Sequence, residues 1–92
     1  MINGSYPEFV EKLSWGVELW FVYGGAKYLV QGYTENGTYN LYFFMVDPEG
    51  TGYDWIGNGT EQEYPVEEFL NAKLFDGKSF REIESVVEWV DC

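Results

Sequence analysis

The sequence predicts a two-layer α+β domain, in which a mainly antiparallel sheet packs short helices on one face. Residues 17–46 read as a meander of three strand-like runs joined by two tight turns. Two capping patterns, at residues 5–8 and 79–82, each predict the start of a helix. Residues 86–90 alternate like a strand, which we expect to pair with one edge of the meander. We therefore expect about four or five strands in all.

The first helix is predicted over residues 6–14. Ser5 and Glu8 match the Ser-x-x-Glu capping box, and a proline in the first turn loses no hydrogen bond there. Gly16 fits a left-handed stop at the end of the helix. An isolated helix of this length is marginal in water, so we expect it to dock on the sheet through its apolar stripe, Phe9, Val10 and Leu13.

Two turn signals fix one register for the meander. The Gly-Gly pair at 24–25 is typical of a primed hairpin turn and places Phe21 opposite Tyr28. The Asn-Gly pair at 36–37 is a second hairpin signal and places Tyr28 opposite Met45. Both turns place the apolar residues of the three strands on the same face of the sheet. A slip of one residue in either hairpin would turn the apolar residues of one strand to the other face.

This register divides the meander into two faces, because alternate residues of a strand point to the same side. The core face comprises Val17, Leu19, Phe21, Tyr23, Tyr28, Val30, Leu41, Phe43 and Met45. The second face carries Glu18, Lys27, Gln31 and Asn40 together with the apolar residues Trp20, Val22, Leu29, Tyr33, Tyr42, Phe44 and Val46. A contiguous apolar patch of this kind marks an interface or a covered surface, so the second face is the main functional candidate.

Residues 47–59 are rich in turn residues and show no period. Long loops without their own structure are usually functional or mobile. Two interpretations remain open: Tyr53, Trp55 and Ile56 cover the second face, or the loop is a recognition loop beside it. Every charged residue between positions 47 and 68 is acidic: Asp47, Glu49, Asp54, Glu61, Glu63, Glu67 and Glu68.

The remainder of the chain predicts short elements. Residues 61–64 read as an edge strand, and residues 65–72 as a second helix with proline near its first position. The second capping box begins a brief third helix, which gives way to the closing strand. We expect residues 1–92 to form a single domain, since the length suits one core.

Composition and charge narrow the functional classes. The formal net charge is −11 and there is no histidine, so the chain repels phosphate backbones and we expect no direct binding to nucleic acid. The same charge attracts basic proteins, although a solvated acidic surface is the alternative interpretation.

The single cysteine, Cys92, excludes an internal disulfide, and no apolar run is long enough to span a bilayer. We therefore expect a cytoplasmic protein that does not bind membranes.

No catalytic, cofactor or metal site is predicted. Without histidine the chain lacks Ser-His-Asp and Cys-His arrangements and imidazole metal ligands. The Asp-Gly-Lys-Ser stretch at 76–79 lacks the upstream glycine of a phosphate-binding loop. Asp47, Glu49 and Asp54 do not match the spacing of a calcium-binding EF-hand. We expect a protein that is not an enzyme.

Two stretches resemble small acidic, uncharacterised proteins of Gram-positive bacteria and their phages. They are the aromatic strand, Gly-Gly turn and Lys-Tyr strand of residues 21–28, and the Asp-Gly-Lys-Ser-Phe-Arg-Glu-Ile segment of residues 76–83. The resemblance implies an accessory protein of a phage or mobile element, of the inhibitor, anti-defence or immunity type. It brings no catalytic residue, and the loop at 47–59 departs from its pattern.

The sequence thus predicts a protein-binding module that occludes a basic partner protein. The predicted interface comprises Trp20, Leu29, Tyr33, Tyr42, Phe44, Tyr53, Asp54, Trp55, Glu61 and Glu63. Two alternatives remain open. The second face forms a homodimer, or its aromatic side chains bind a small ligand or a carbohydrate.

Overall fold

A computed structural model describes residues 1–47, 55–60 and 62–90. Its elements in chain order are α1 (Tyr6–Ser14), β1 (Leu19–Tyr23), β2 (Ala26–Glu35), β3 (Thr38–Asp47), β4 (Trp55–Asn58), α2 (Val66–Asn71), α3 (Phe80–Ile83), a 3₁₀ turn (Glu84–Val86) and β5 (Glu88–Val90). The strands form one five-stranded sheet in the order β4-β3-β2-β1-β5, and neighbouring strands are antiparallel. The predicted α+β class is confirmed.

The register predicted for the meander is also confirmed. Phe21 lies opposite Tyr28, and Tyr28 lies opposite Met45. The turn residues adopt the positive φ angles that primed turns require, 60° and 82° at positions 24 and 25 and 53° and 79° at positions 36 and 37. Near its far end the β2–β3 pairing shifts by one residue, so that Lys27 faces Asp47.

The core lies between the sheet's core face and the helices of the described residues. Phe9 of α1 stacks on Phe80 of α3 with ring centroids 4.6 Å apart, and Phe21 of β1 meets Phe80 edge-on at 5.2 Å. The buried cluster is Phe9, Leu13, Leu19, Phe21, Val30, Leu41, Phe43, Phe69, Leu70, Phe75, Phe80, Ile83, Val87 and Trp89. These contacts bury the apolar stripes of short helices that would be marginal alone.

The caps lie where the sequence predicts them. The hydroxyl of Ser5 accepts a hydrogen bond from the Glu8 backbone N–H at 3.2 Å, and Gly16 ends the segment at a φ of +73°. In α3, Ser79 and Glu82 form the reciprocal capping box. The closing strand is shorter than predicted, because the chain is still in the 3₁₀ turn as far as Val86.

Two predictions on the core side and the sheet edge are wrong. Val17 is 41% exposed, because β1 begins only at Leu19 and the alternation of the strand does not reach back to it. The edge strand is β4, not residues 61–64. Residues 62–64 form no strand, and the Thr60 N–H donates to the Glu63 carbonyl at 3.0 Å; residue 61 lies outside the described residues.

The segment before α1 extends the other edge of the sheet. Ile2 donates its N–H to the Val87 carbonyl at 2.8 Å and accepts from the Trp89 N–H at 3.1 Å. This short parallel bridge covers part of the outer edge of β5.

In the part of the chain that is described, no helix has the length and apolar character needed to cross a bilayer.

Candidate functional site

Strand pairing arranges the second face in rows that run across the sheet. The central row is apolar over four strands: Val90 of β5, Trp20 of β1, Leu29 of β2 and Phe44 of β3 are successive cross-strand neighbours. Neighbouring strands are about 4.8 Å apart, so the row is roughly 14 Å long. Leu29 is only 6% exposed and forms the floor of the row.

Trp20 is held in place by two side chains of the same face. Its indole Nε1 donates to the carboxylate of Glu18 at 3.2 Å, and Lys27 Nζ lies 5.0 Å from the ring centroid. Both contacts fix the ring while leaving it half-buried. A large apolar side chain that is already ordered loses little conformational entropy when it is buried by a partner.

The next row joins β2, β3 and β4. Gln31 donates a side-chain hydrogen bond to the hydroxyl of Tyr42, whose cross-strand neighbour Ile56 is 47% exposed. The Tyr42 ring meets Tyr33 edge-on at 5.0 Å and stacks on Phe44 at 6.1 Å. The second face therefore has a preorganised aromatic surface with an exposed aliphatic residue at one end.

The perimeter of the second face is acidic. A third row of cross-strand neighbours joins Glu88, Val22, Lys27 and Asp47. The two residues at its ends, Glu88 and Asp47, are exposed carboxylates. Glu35 lies at the hairpin end of the face. With Glu18, the perimeter carries four carboxylates and one ammonium group, that of Lys27, which lies over Trp20.

The cations that form side-chain ion pairs lie on the helix layer. Within residues 1–47, 55–60 and 62–90 these pairs are Lys12–Glu8, Lys73–Glu82 and Arg81–Glu67. In the same ranges, none of the carboxylates on the perimeter of the second face has an ion-pair partner. Four carboxylates without an ion-pair partner therefore stand around the apolar row, and four others in the same ranges, Glu11, Glu63, Glu68 and Asp76, lie elsewhere on the molecule.

The structure brings together half of the predicted interface. Five residues share the second face: Trp20, Leu29, Tyr33, Tyr42 and Phe44. Trp55 does not, because pairing with Phe43 turns it to the core side, where its ring lies 5.6 Å from that of Phe69. Glu63 lies beside α1 and α2 on the helix layer. Tyr53, Asp54 and Glu61 fall outside the described residues.

The predicted interface omitted Ile56 and Val90, which strand pairing places on this face. Both lie in edge strands, and their facing depends on pairing with distant residues, Tyr42 and Trp20 respectively. Period-2 alternation around Val90 was a usable signal, whereas the four residues of β4 are too few to show one.

No cluster of potential metal ligands forms among the described residues. No group of three or more Asp, Glu or Cys side chains in those ranges converges on a position that a metal ion would occupy.

Comparison of the chain with models of protein families, with curated proteins and with solved structures found no match in any of the three.

Proposed function

We propose that this chain is a non-enzymatic protein-binding module that occludes a basic partner protein with its second face. One observation carries the proposal: a rigid apolar row surrounded by carboxylates that lack ion-pair partners among the described residues. Protein interfaces commonly combine an apolar centre with a polar rim. Here the rim carries four carboxylates and one lysine, and this net negative charge favours a partner of the opposite sign.

The two parts of the surface have different roles in binding. Trp20, Val90 and Ile56 supply area that a partner can desolvate, and tryptophan is among the residues that most often dominate binding energy. The carboxylates act at longer range and raise the association rate with a cationic surface. Binding blocks whatever function the covered basic surface has, which is the mechanism expected of an inhibitor.

The resemblance to small proteins of phages and mobile elements supports the inhibitor or accessory class over a structural one. Many nucleic-acid-binding proteins present a basic surface, and an acidic module resembles their ligand in charge. We therefore propose a partner whose own binding surface is basic.

A capture experiment tests the proposal. Immobilised wild-type chain and the variants Trp20→Ala and Trp20→Phe are exposed to a native extract of the cells that carry the gene. We expect wild type to retain a basic protein that salt elutes, and that rebinds when purified. Trp20→Ala should lose at least about tenfold in affinity, whereas Trp20→Phe keeps an aromatic ring and retains most of it. Equal retention by Trp20→Ala, with its fold verified by circular dichroism, would refute the proposal.

A further inference from the structure

Three Asn-Gly pairs occur in the chain, at residues 3–4, 36–37 and 58–59. An asparagine followed by glycine deamidates more readily than other asparagines, because glycine has no Cβ atom to shield its backbone nitrogen. That nitrogen attacks the Cγ atom of the asparagine. The reaction therefore needs a free backbone N–H, a free side-chain amide and room to rotate, and the fold decides which of the three pairs has them.

The pair at 58–59 is held by the sheet. Asn58 is the last residue of β4, and the Gly59 N–H donates to the Tyr39 carbonyl at 2.9 Å. Gly59 is also tightly enclosed, because a Cβ atom on it would clash with the backbone oxygens of Tyr39 and Glu63. Attack of this nitrogen on Asn58 would require local unfolding of the edge strand.

The pair at 3–4 is held by contacts with the other edge of the sheet. Asn3 Nδ2 donates to the Glu88 carboxylate at 3.0 Å, which engages the amide group that would have to leave. Gly4 packs against the ring of Trp89, which a Cβ atom at this position would strike. The preceding residue, Ile2, is fixed by two backbone hydrogen bonds. These contacts restrict the rotation that the reaction needs.

The pair at 36–37 is free of such restraints. Asn36 and Gly37 form the exposed tip of the β2–β3 hairpin. Within the described ranges, no backbone carbonyl accepts from the Gly37 N–H and the Asn36 side chain makes no hydrogen bond. A Cβ atom on Gly37 would meet nothing within 4 Å, so the space around the attacking nitrogen is open.

We infer that Asn36 is a site of spontaneous deamidation, and that its modification alters the hairpin of the second face. The Gly37 nitrogen loses its proton to solvent and forms a bond to Cγ of Asn36. The Cγ–Nδ2 bond then breaks, and the amide nitrogen takes up protons from solvent and leaves as ammonia. Water opens the resulting succinimide at one of its two carbonyls, which gives aspartate or isoaspartate. Water is the one co-reactant, and no atom is oxidised or reduced.

The two products differ in their effect on the fold. Aspartate leaves the main chain unchanged, and an Asp-Gly pair favours the same primed turn. Isoaspartate places the Cβ atom of residue 36 in the main chain. It thereby lengthens a turn whose two residues fix the β2–β3 register. Either product adds one carboxylate next to Glu35, at the hairpin end of the second face.

Ageing of the folded, full-length chain in mildly alkaline buffer tests the assignment. Mass spectrometry of proteolytic peptides follows the change from amide to carboxyl at each Asn-Gly pair, and labelling with an isoaspartyl methyltransferase detects isoaspartate. We expect position 36 to react at least about tenfold faster than position 58, and faster than position 3. In urea the three pairs should react at similar rates, because the fold no longer distinguishes them. Equal rates at 36 and 58 in the folded chain, or an unmodified Asn36, would overturn the inference.

Asn36→Gly is a matched variant, because a Gly-Gly pair already forms the corresponding turn at residues 24–25 of this chain. The variant should fold like wild type and form no isoaspartate at the turn. Wild type in which isoaspartate has formed should unfold at a lower urea concentration than fresh wild type, whereas ageing should leave Asn36→Gly unchanged. An equal loss of stability in both chains would assign the effect to another residue. Aged wild type that is as stable as fresh wild type would refute the effect on the hairpin.

Discussion

At the scale of single residues, Gly16, Gly32 and Tyr64 form a close contact. The Gly32 N–H donates to the Gly16 carbonyl at 3.0 Å, and the Tyr64 ring covers both glycines. A Cβ atom on Gly32 would lie 2.4 Å from the Tyr64 ring and 2.7 Å from the Gly16 backbone. This packing joins the end of α1, strand β2 and the segment that leads into α2.

Gly32→Ala should therefore destabilise the fold by about 2–3 kcal/mol, because the added methyl group overpacks the contact. Urea unfolding of wild type and variant measures the loss. Combining Gly32→Ala with Tyr64→Ala should restore part of it, since the second change removes the ring that the methyl group meets. A Gly32→Ala variant as stable as wild type would show that Tyr64 does not pack here.

Tyr6 provides a second prediction at this scale. Its hydroxyl is buried and has no hydrogen-bond partner among the described residues, and burial raises the pKa of that hydroxyl above its ordinary value of 10.0. Tyr6→Phe should stabilise the fold by about 1 kcal/mol, because the unpaired hydroxyl is removed. The gain should grow above pH 10, where the unfolded chain ionises Tyr6 before the folded chain does. Thermal unfolding at pH 7 and 10.5 measures both effects, and a destabilised Tyr6→Phe would reveal an unrecognised hydrogen bond.

At the scale of elements, α3 depends on its cap because it is only four residues long. The Glu82 carboxylate accepts hydrogen bonds from the Ser79 backbone N–H at 3.3 Å, from the Ser79 hydroxyl at 3.2 Å and from Lys73. The bond from Lys73 and the Ser79 backbone bond lower the pKa of Glu82 below its ordinary value of 4.5. Ionised Glu82 therefore stabilises the folded chain.

Glu82→Gln should cost stability at pH 7, and the cost should shrink as pH falls below about 4.5. A carboxylate with a lowered folded pKa contributes stability above its unfolded pKa and loses it as pH falls through the folded value. Thermal unfolding between pH 3 and 7 tests this, with Glu11→Gln as an exposed control for the same charge change. A cost independent of pH would assign the effect to packing instead of charge.

Elements defined by local signals were predictable from the sequence, and those defined by distant pairing were not. The turns at 24–25 and 36–37 specify the meander register by themselves, because a two-residue turn leaves one alignment of its flanking strands. Strand β4 follows a stretch rich in glycine and gains its structure from β3, so no local pattern predicts it. For the same reason Trp55 was predicted beside the second face, although it packs against the core.

At the scale of the whole molecule, the side-chain ion pairs of the described residues all lie on the helix layer. The ion pairs Lys12–Glu8, Lys73–Glu82 and Arg81–Glu67 lie on the helix layer, while the described carboxylates around the second face have no such partners. The net charge of −11 was evident from the sequence. The distribution of the charged residues over the surface was not evident from the sequence, because it depends on which residues the fold brings together.

This distribution predicts a monomer. Two second faces would bring their acidic perimeters together, and such repulsion opposes association at low salt. Light scattering at low salt should therefore give the monomer mass of 10.7 kDa at every concentration, and the same series at high salt shows whether an apolar contact forms once the repulsion is screened. A dimer that persists at both salt concentrations would instead support the homodimer interpretation of the second face.

The most direct test of the central claim compares two variants that add the same charge at different places. Ile56→Lys puts a cation on the second face, and Val86→Lys puts one on the 3₁₀ turn of the helix layer; the two positions are 47% and 59% exposed. The measurement is the equilibrium affinity of the captured and purified partner for each variant. We predict that Ile56→Lys binds at least about tenfold more weakly than Val86→Lys. Equal affinities for the two variants would contradict the assignment of the second face as the binding surface.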